Sequence, residues 1–446
     1  MEARERRIEG LIFCPITACG ATLTTWVTSR WTHSRGAQRG RELTVTDEAF
    51  IEESMRDFQL DPIACEDAVR SSRDAASRVD HDHLLRRASQ GAGLEPTDLA
   101  ALWFAPVDTE TIYAAACSLH RLRATRLETF SPLYMTNTCD AECRMCGMRR
   151  DNGALIRETA AIDAVIAQLQ LLSRRGMRAV ALLTGEYAGA NRAWALPYVN
   201  RALRATQALR FKHVLINVGS IDAEEFDVLL AGIARNPDGS VVPKLTMSTF
   251  QETYSPRFYA KFMGANPNNP RANYERRLTN FDRAYRAGLR IANPGILVGL
   301  NRDVAFELTA LALHARHLLA RGMELYLSVP RLRKVAGTDS QQGIRDDDFV
   351  RLVALLSLGL PSCKIVITTR ENSAMQRRLA PIVSVISAGS AAVVPYTETG
   401  ARFPLETSQF EVIDQRPFEA VLQERRDDGV AISNFEPPSM PTADWA

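Results

Sequence analysis

Three cysteines, Cys139, Cys143 and Cys146, stand close together in TNTCDAECRMCGM with the spacing C-x3-C-x2-C. Thiolates on so tight a loop can ligate three irons of a [4Fe–4S] cluster, because soft sulfur suits iron–sulfur chemistry. Three ligands leave the fourth iron open, which fits chelation of a small molecule better than simple electron carriage. A zinc site is the competing reading, but closed zinc sites want a fourth ligand, usually from paired CxxC or CxxH motifs. None of the seven histidines, His213 included, stands at ligand spacing to the trio. The remaining cysteines, Cys14, Cys19, Cys65, Cys117 and Cys363, are scattered, without the pairing of a secreted disulfide framework.

The trio follows the first of a series of β-rich runs that alternate with amphipathic stretches. SPLYMTN is followed by AIDAVIAQLQLLSRRG, AVALLTG by RAWALPYVNRALRAT, VLINVGS by AEEFDVLLAGIAR, and KLTMSTF by NYERRLTNFDRAYRAG. NPGILVG with FELTALALHARHLLARG, LYLSVP with DDFVRLVALLSLG, KIVITTR with SAMQRRLA, and a final IVSVISA complete the series. The strand hydrophobicity is nearly continuous, as when both faces of a parallel sheet are covered. Eight such units predict an α/β chain with a (β/α)8 TIM-type barrel over residues 128–392; a doubly wound open sheet is the alternative. In a barrel the chemistry sits at the C-terminal strand ends. The polar residues there are Asn137, Thr184, Asn217, Gln251, Glu252, Arg331, Arg333, Arg370 and Ser387.

Upstream, residues 44–127 carry helical periodicity in EAFIEESMRDF, HDHLLRRAS and DLAALWFAPVDTETIYAAACSLHRL, with Asp98 and Asp108 as expected N-caps. Residues 393–446 form a C-terminal extension expected to pack on the barrel. At the start, arginines precede IEGLIFCPITAC, which looks like an export signal with a lipoprotein-type site. Glu9 and Pro15 interrupt it, so residues 1–43 are expected to be a disordered or mis-annotated extension.

Composition narrows the class. The chain has 446 residues, 46% apolar and 24% charged, with 54 basic and 52 acidic side chains for a net +2. Those values exclude wholesale disorder and give no electrostatic footprint for nucleic acid. No apolar run approaches the roughly 18 residues of a spanning helix, so neither membrane nor nucleic acid is expected as a partner and the location is expected to be cytoplasmic.

The motif CDAECRMC at the end of a first barrel strand resembles the radical S-adenosylmethionine (SAM) superfamily. The resemblance narrows along TFSPLYMTNTCDAECRMCGMRRDN, LLTGEY, INVGS, TFQETY, NPGILVGL, LSVPRLR, ITTRE, VISAGS and TSQF, which run in one order between about Arg123 and Glu419. These segments are similar to the aromatic amino-acid lyases that include the tyrosine lyase of thiazole biosynthesis. They resemble most the tryptophan-lyase branch, the 3-methyl-2-indolic acid synthases of thiopeptide antibiotic biosynthesis. Met145 stands where the superfamily usually has an aromatic residue near adenine, a departure shared with that branch.

The resemblance implies a [4Fe–4S] cluster on the three cysteines, SAM on the open iron, and flavodoxin or ferredoxin as electron donor. It implies that Gly185 permits close backbone approach and that Glu186 holds the methionine ammonium; a turn with a solvated glutamate is the alternative. Gln251, Glu252 and Arg277 would contact the ribose or the methionine carboxylate, while Arg276 and Arg283 could equally be surface charges. Arg370 falls on the clamp for the substrate carboxylate, where a planar guanidinium suits bidentate capture; its alternative is an ion pair with Glu371. Tyr134 and Ser387 fall on further substrate positions, Tyr134 alternatively on core packing. Arg331 and Arg333 would meet an anion or seal the loop beneath it. The implied activity is conversion of L-tryptophan to 3-methyl-2-indolic acid by way of a 5′-deoxyadenosyl radical. Cα–Cβ scission of L-tyrosine to p-cresol and dehydroglycine is the first alternative, and a non-catalytic iron–sulfur protein the second.

Overall fold

The computed structural model describes residues 56–123, 126–237, 241–338, 343–389, 392–395 and 403–437. The N-terminal extension, nearly all of EAFIEESMRDF and the end of the Pro-rich tail lie outside the described residues. Eight parallel strands follow in chain order: β1 Leu127–Tyr134, β2 Ala179–Leu183, β3 His213–Asn217, β4 Lys244–Ser248, β5 Ile291–Asn293, β6 Glu324–Ser328, β7 Lys364–Ile367 and β8 Val385–Ser387. β1 pairs with β8 through Glu128–Phe130 and with β2 through Ser131–Tyr134, which closes the ring. The fold is therefore the TIM-type barrel expected, not the open sheet. A ninth short strand, β9 Ile432–Ser433, pairs with β1 at Leu127 and Glu128, below the point where β2 begins to pair.

Two strand positions differ from the sequence expectation. β1 begins at Leu127 and ends at Tyr134, so SPLYMTN supplies only its upper half; the lower half is recruited by β8 and β9. β5 is Ile291–Asn293, ahead of most of NPGILVG. Pro294 has no N–H for the ladder, and beyond it single bridges continue upward, Gly295 to Ser328, Ile296 to Glu252 and Val298 to Arg331.

Among the described residues four helices precede the barrel: α1 Pro62–Ala75, α2 His81–Ser89, α3 Pro96–Phe104 and α4 Thr109–Arg123. α1, in a stretch the periodicity did not single out, starts where Asp61 accepts from the Ile63 and Ala64 N–H groups. Asp108 caps α4 as expected, accepting from Thr111 N at 2.8 Å. Asp98 does not cap α3: Pro96 starts that helix one turn earlier, and Asp98 bonds back to the Glu95 N–H at 3.2 Å. α1 packs on α3 and on the barrel helix Val304–Ala320, while α2, α3 and α4 lie over the barrel helix Asp346–Gly359, which is apolar nearly all round because it is covered on both sides. Arg351 on that helix donates to Leu102 O, Ala105 O and Val107 O, satisfying carbonyls at and just beyond the end of α3.

Inside the barrel, strand alternation stacks three kinds of surface. The N-terminal end is polar: Lys364 pairs with Glu128 and Glu324, both at contact distance, and Tyr326 donates to Glu128 at 2.6 Å. Above it lie Phe130, Ala181, Leu215 and Val366. The upper rim carries Asn217, Ser248, Asn293, Ser328 and Ser387. Ser328 donates to Asn293 at 2.9 Å, and Asn293 to Ser248 at 3.1 Å.

His213, buried at the polar end, hydrogen-bonds Thr246 Oγ1 at 2.6 Å, and burial lowers its pKa to about 4. The unfolded chain takes up this proton near pH 6.5 while the native state stays neutral. Stability from this group is thus intact above pH 6.5 and falls by about 1.4 kcal/mol per unit between 6.5 and 4. His213→Gln, which keeps a partner for Thr246, should lose about 2 kcal/mol less than the parent between pH 7.5 and 5 in denaturant titrations. Equal losses would reject this assignment.

Candidate active site

The C-terminal strand ends enclose a cavity; of the residues that the resemblance implies for the cluster, SAM and the substrate, all but one line it, while Asn137, Arg331 and Arg333 among the other strand-end residues do not. Cys139, Cys143, Cys146, Tyr134, Gly185, Glu186, Glu252, Arg277, Arg370 and Ser387 are on its wall. Gln251 is the exception: it is buried outside the lining, and its Nε2 has no hydrogen-bond partner among the described residues. Its neighbour Glu252 takes the outlet instead, in a left-handed conformation (φ 69°) that turns the chain at the end of β4. Such a conformation on a non-glycine residue is a cost that sites tend to carry.

The cysteine loop is held from three directions. Asn137 accepts from Glu158 N at 2.7 Å and donates to Ile156 O and Thr407 O; Asn152 donates to Gly147 O and Ala336 O. Arg157 donates to the carbonyls of Asn137, Met148, Arg149 and Arg150. At β2 the loop meets backbone: a Cβ on Gly185 would lie 2.1 Å from Thr138 O and 2.7 Å from Cys139 Cα. That closeness lets Glu186 N donate to Cys139 Sγ at 3.3 Å, beside Ala141 N at 3.4 Å. Burial pushes the Cys139 and Cys143 thiols up to about 12, a preference that a bound metal reverses by deprotonating its thiol ligands. Met145 does not line the cavity; it packs with Tyr259, Met263 and Leu300 beneath the loop.

Glu186 is buried among cations. Its Oε1 accepts from Ser220 N at 3.0 Å and its Oε2 from Arg277 at 3.0 Å, with Arg271 and Arg276 each at 3.6 Å. The solvated-turn reading therefore fails. Gly219 (φ 86°) is required here, since a Cβ would stand 2.5 Å from the Glu186 carboxylate carbon. Arg276 is anchored by Asp222, and Arg283 holds the Ile221 carbonyl; both are structural cations rather than free surface charges. Arg271 escaped sequence reasoning: it sits in an irregular Asn- and Pro-rich loop, away from any strand end. It is a buried cavity residue that donates to Glu252 at 3.1 Å, and its Nε completes no hydrogen bond among the described residues.

Across the cavity, Arg370 is half-buried and pairs with no carboxylate among the described residues. Its NH1 donates to Arg331 O at 3.2 Å, and its guanidinium carbon lies 3.5 Å from the Phe410 ring centroid. Glu371, the alternative partner, is taken by Arg331 and Arg333. Those two arginines therefore seal the loop rather than meet an anion. Tyr134 donates its hydroxyl to Gln409 Oε1 at 2.8 Å, so its hydroxyl is engaged at the site rather than idle in the core. Gln409 and Phe410 belong to the TSQF segment, whose sequence gave no hint of position because a long loop delivers it.

Comparison with solved structures decides the fold's kinship. HydG, a maturase of the [FeFe]-hydrogenase, superposes with a TM-score of 0.70 at 25% identity over 82% of this chain and 79% of its own. Methylornithine synthase follows with a TM-score of 0.58 at 18% identity over 78% and 97%. This is a radical SAM barrel. Among curated proteins, the 2-iminoacetate synthase of Escherichia coli K12 is 26% identical over 76% of this chain and 86% of its own length. That of Salmonella typhimurium is 24% identical over 67% and 76%. The Biotin and Thiamin Synthesis associated domain matches residues 328–431, from the end of β6 through the segment that carries Gln409 and Phe410.

The cofactors of the radical SAM barrel are a [4Fe–4S] cluster and SAM, and the residues present fit both. Three thiols share one cavity, with N–H groups directed at Cys139 Sγ. Beside them stand a buried carboxylate, three guanidiniums and an orphaned Arg271 donor, a charge set that matches an ammonium and a carboxylate on one ligand. No described helix is long and apolar enough to cross a membrane.

Proposed function

We propose that this chain is a radical SAM lyase that breaks the side chain of an aromatic amino acid. The observation that carries it is Arg370: a cation without a carboxylate partner among the described residues, on the wall of the cavity that the three cysteines share. Bound in their places, the cluster and SAM supply a 5′-deoxyadenosyl radical able to take hydrogen from the amino nitrogen. The chain's own residues do the rest. Arg370 captures the carboxylate, with Tyr134 and Ser387 beside it, so the amino end rather than the ring is presented to the radical source. Phe130, Ala181, Leu215 and Val366 receive the ring, and the TSQF segment closes the cavity against water.

The curated relatives support L-tyrosine. Scission of Cα–Cβ from an aminyl radical leaves 2-iminoacetate (dehydroglycine), the compound in those relatives' name, and a p-hydroxybenzyl radical that one electron and one proton convert to p-cresol. A second reading, L-tryptophan to 3-methyl-2-indolic acid, is favoured by the cavity floor. Its four residues are apolar and accept a flat bicyclic ring, and the hydroxyls and amides of the rim supply acceptors for the indole N–H.

The test is anaerobic reconstitution with dithionite and SAM, offering both amino acids in parallel under mass-spectrometric readout. p-Cresol from tyrosine establishes the first reading and 3-methyl-2-indolic acid the second. 5′-Deoxyadenosine with neither product rejects both substrates. The electron donor in the cell is proposed to be a flavodoxin or ferredoxin, and the location cytoplasmic.

A further inference from the structure

Gln409 touches both halves of the site. Its Oε1 accepts from the Tyr134 hydroxyl at 2.8 Å, and its Nε2 lies 3.6 Å from Cys146 Sγ. The amide has only one sensible orientation. A cysteine sulfur serving as a metal ligand has no proton to give, so it must face the NH2 group, which leaves the carbonyl for the phenol. The backbone beneath fixes the amide in place: Gly147 N donates to Gln409 O at 2.8 Å, and a Cβ on Gly147 would stand 2.9 Å from that oxygen. Asn137 Nδ2 holds Thr407 O at 3.1 Å, and Ile156 N holds Glu406 O at 2.7 Å. The next residue, Phe410, lies against Arg370. One short segment, far from the cysteines in sequence, thus contacts a cluster ligand and two residues at the amino-acid end, Tyr134 and Arg370.

We propose that Gln409 is a positioning residue that links the amino-acid end of the cavity to the cluster, setting both the Tyr134 hydroxyl and the electron affinity of the Cys146 corner through one side-chain amide. The direction follows from charge. An N–H directed at a ligating sulfur stabilises the more negative, reduced cluster, and hydrogen bonds to the sulfurs are among the factors that set cluster potential. The same amide holds Tyr134 toward Gln409. A substrate that draws the hydroxyl away frees the carbonyl and loosens the N–H contact, so occupancy at one end alters the potential at the other. The proposal rests on the proposed function only for what occupies that end.

The test is a redox titration of the reconstituted holoenzyme, followed by electron paramagnetic resonance without any amino acid present. Gln409→Met keeps the length and fills the volume without the amide. It should bind iron as the parent does, show a more negative midpoint, and raise KM for the amino acid more than it lowers kcat. Gln409→Glu retains an acceptor for Tyr134 but loses the N–H. It should spare KM and move the midpoint further negative, and it carries the test if the Met variant loses iron. A parental midpoint in either iron-loaded variant overturns the proposal. Because the titration contains no amino acid, a wrong substrate assignment appears only in the product assay and leaves the midpoint comparison standing.

Discussion

Arg370→Ala is expected to raise KM for the amino acid by about a hundredfold, on the order of 3 kcal/mol, while cluster content and SAM binding stay at parental levels. The size follows from the setting. A charge-assisted bond to a carboxylate contributes about 1.5–3 kcal/mol, and a bidentate pair makes two of them in a site shielded from water. Among the described residues no carboxylate competes for the guanidinium, since Glu371 is held by Arg331 and Arg333 and the Arg370 NH1 contact is to a carbonyl. Removing the side chain therefore leaves that ion-pair network intact and gives up the Phe410 contact and the bond to the Arg331 carbonyl. Arg370→Lys should recover little, because a point charge neither forks to two oxygens nor lies flat on a ring. Steady-state kinetics with an iron assay reads the outcome, and unchanged KM in an iron-loaded variant would remove Arg370 from the substrate site.

The contrast between Arg370 and Arg331 shows what was legible in the residues and what was not. Both follow a β-rich run, and both read from sequence as cations available to an anion. Their difference lies in Glu371, whose carboxylate turns toward β6 rather than toward its own neighbour, a choice made by packing across strands. The barrel itself was readable because each β-run and helix carries its own periodicity. The cysteine trio was readable because its chemistry lies within one loop. β1 begins earlier than its own residues suggest because its lower half is stabilised by pairing with β8 and β9, which lie far along the chain. Arg271, Gln409 and Phe410 were missed for a related reason: loops bring them in, and no strand end marks them. The one available signal is TSQF as a late segment of the resemblance, with no physical role attached to it.

The arrangement of charge also accounts for why glycine, rather than a stronger ligand set, governs the cluster end. Glu186, Glu252, Arg271, Arg276 and Arg277 form a buried alternation of charge that is satisfied only while β2, β4 and the cysteine loop stay in register. Breaking one partner of a buried pair strands the other, at a cost of about 3–5 kcal/mol. The register depends on the contact between β2 and the cysteine loop, and that contact depends on an atom that is missing.

Gly185→Ala supplies that atom and should abolish cluster binding. The new Cβ would fall 2.1 Å from Thr138 O and 2.7 Å from both Cα and Cβ of Cys139. None of these is the flexible end of a side chain, so relief requires moving backbone. β2 cannot yield, because it is laddered to β1 on one side and β3 on the other. The cysteine loop must move instead, carrying Cys139 away from the Glu186 N–H that donates to its sulfur at 3.3 Å and from the two remaining thiols. Iron and sulfide content after anaerobic reconstitution should fall to a small fraction of the parent, with the visible charge-transfer absorbance. Far-UV circular dichroism should be unchanged, since the barrel core lies below the collision. Full iron content in the alanine variant would show that the loop has room the structure denies it, and the close approach would then be no part of how the cluster is held.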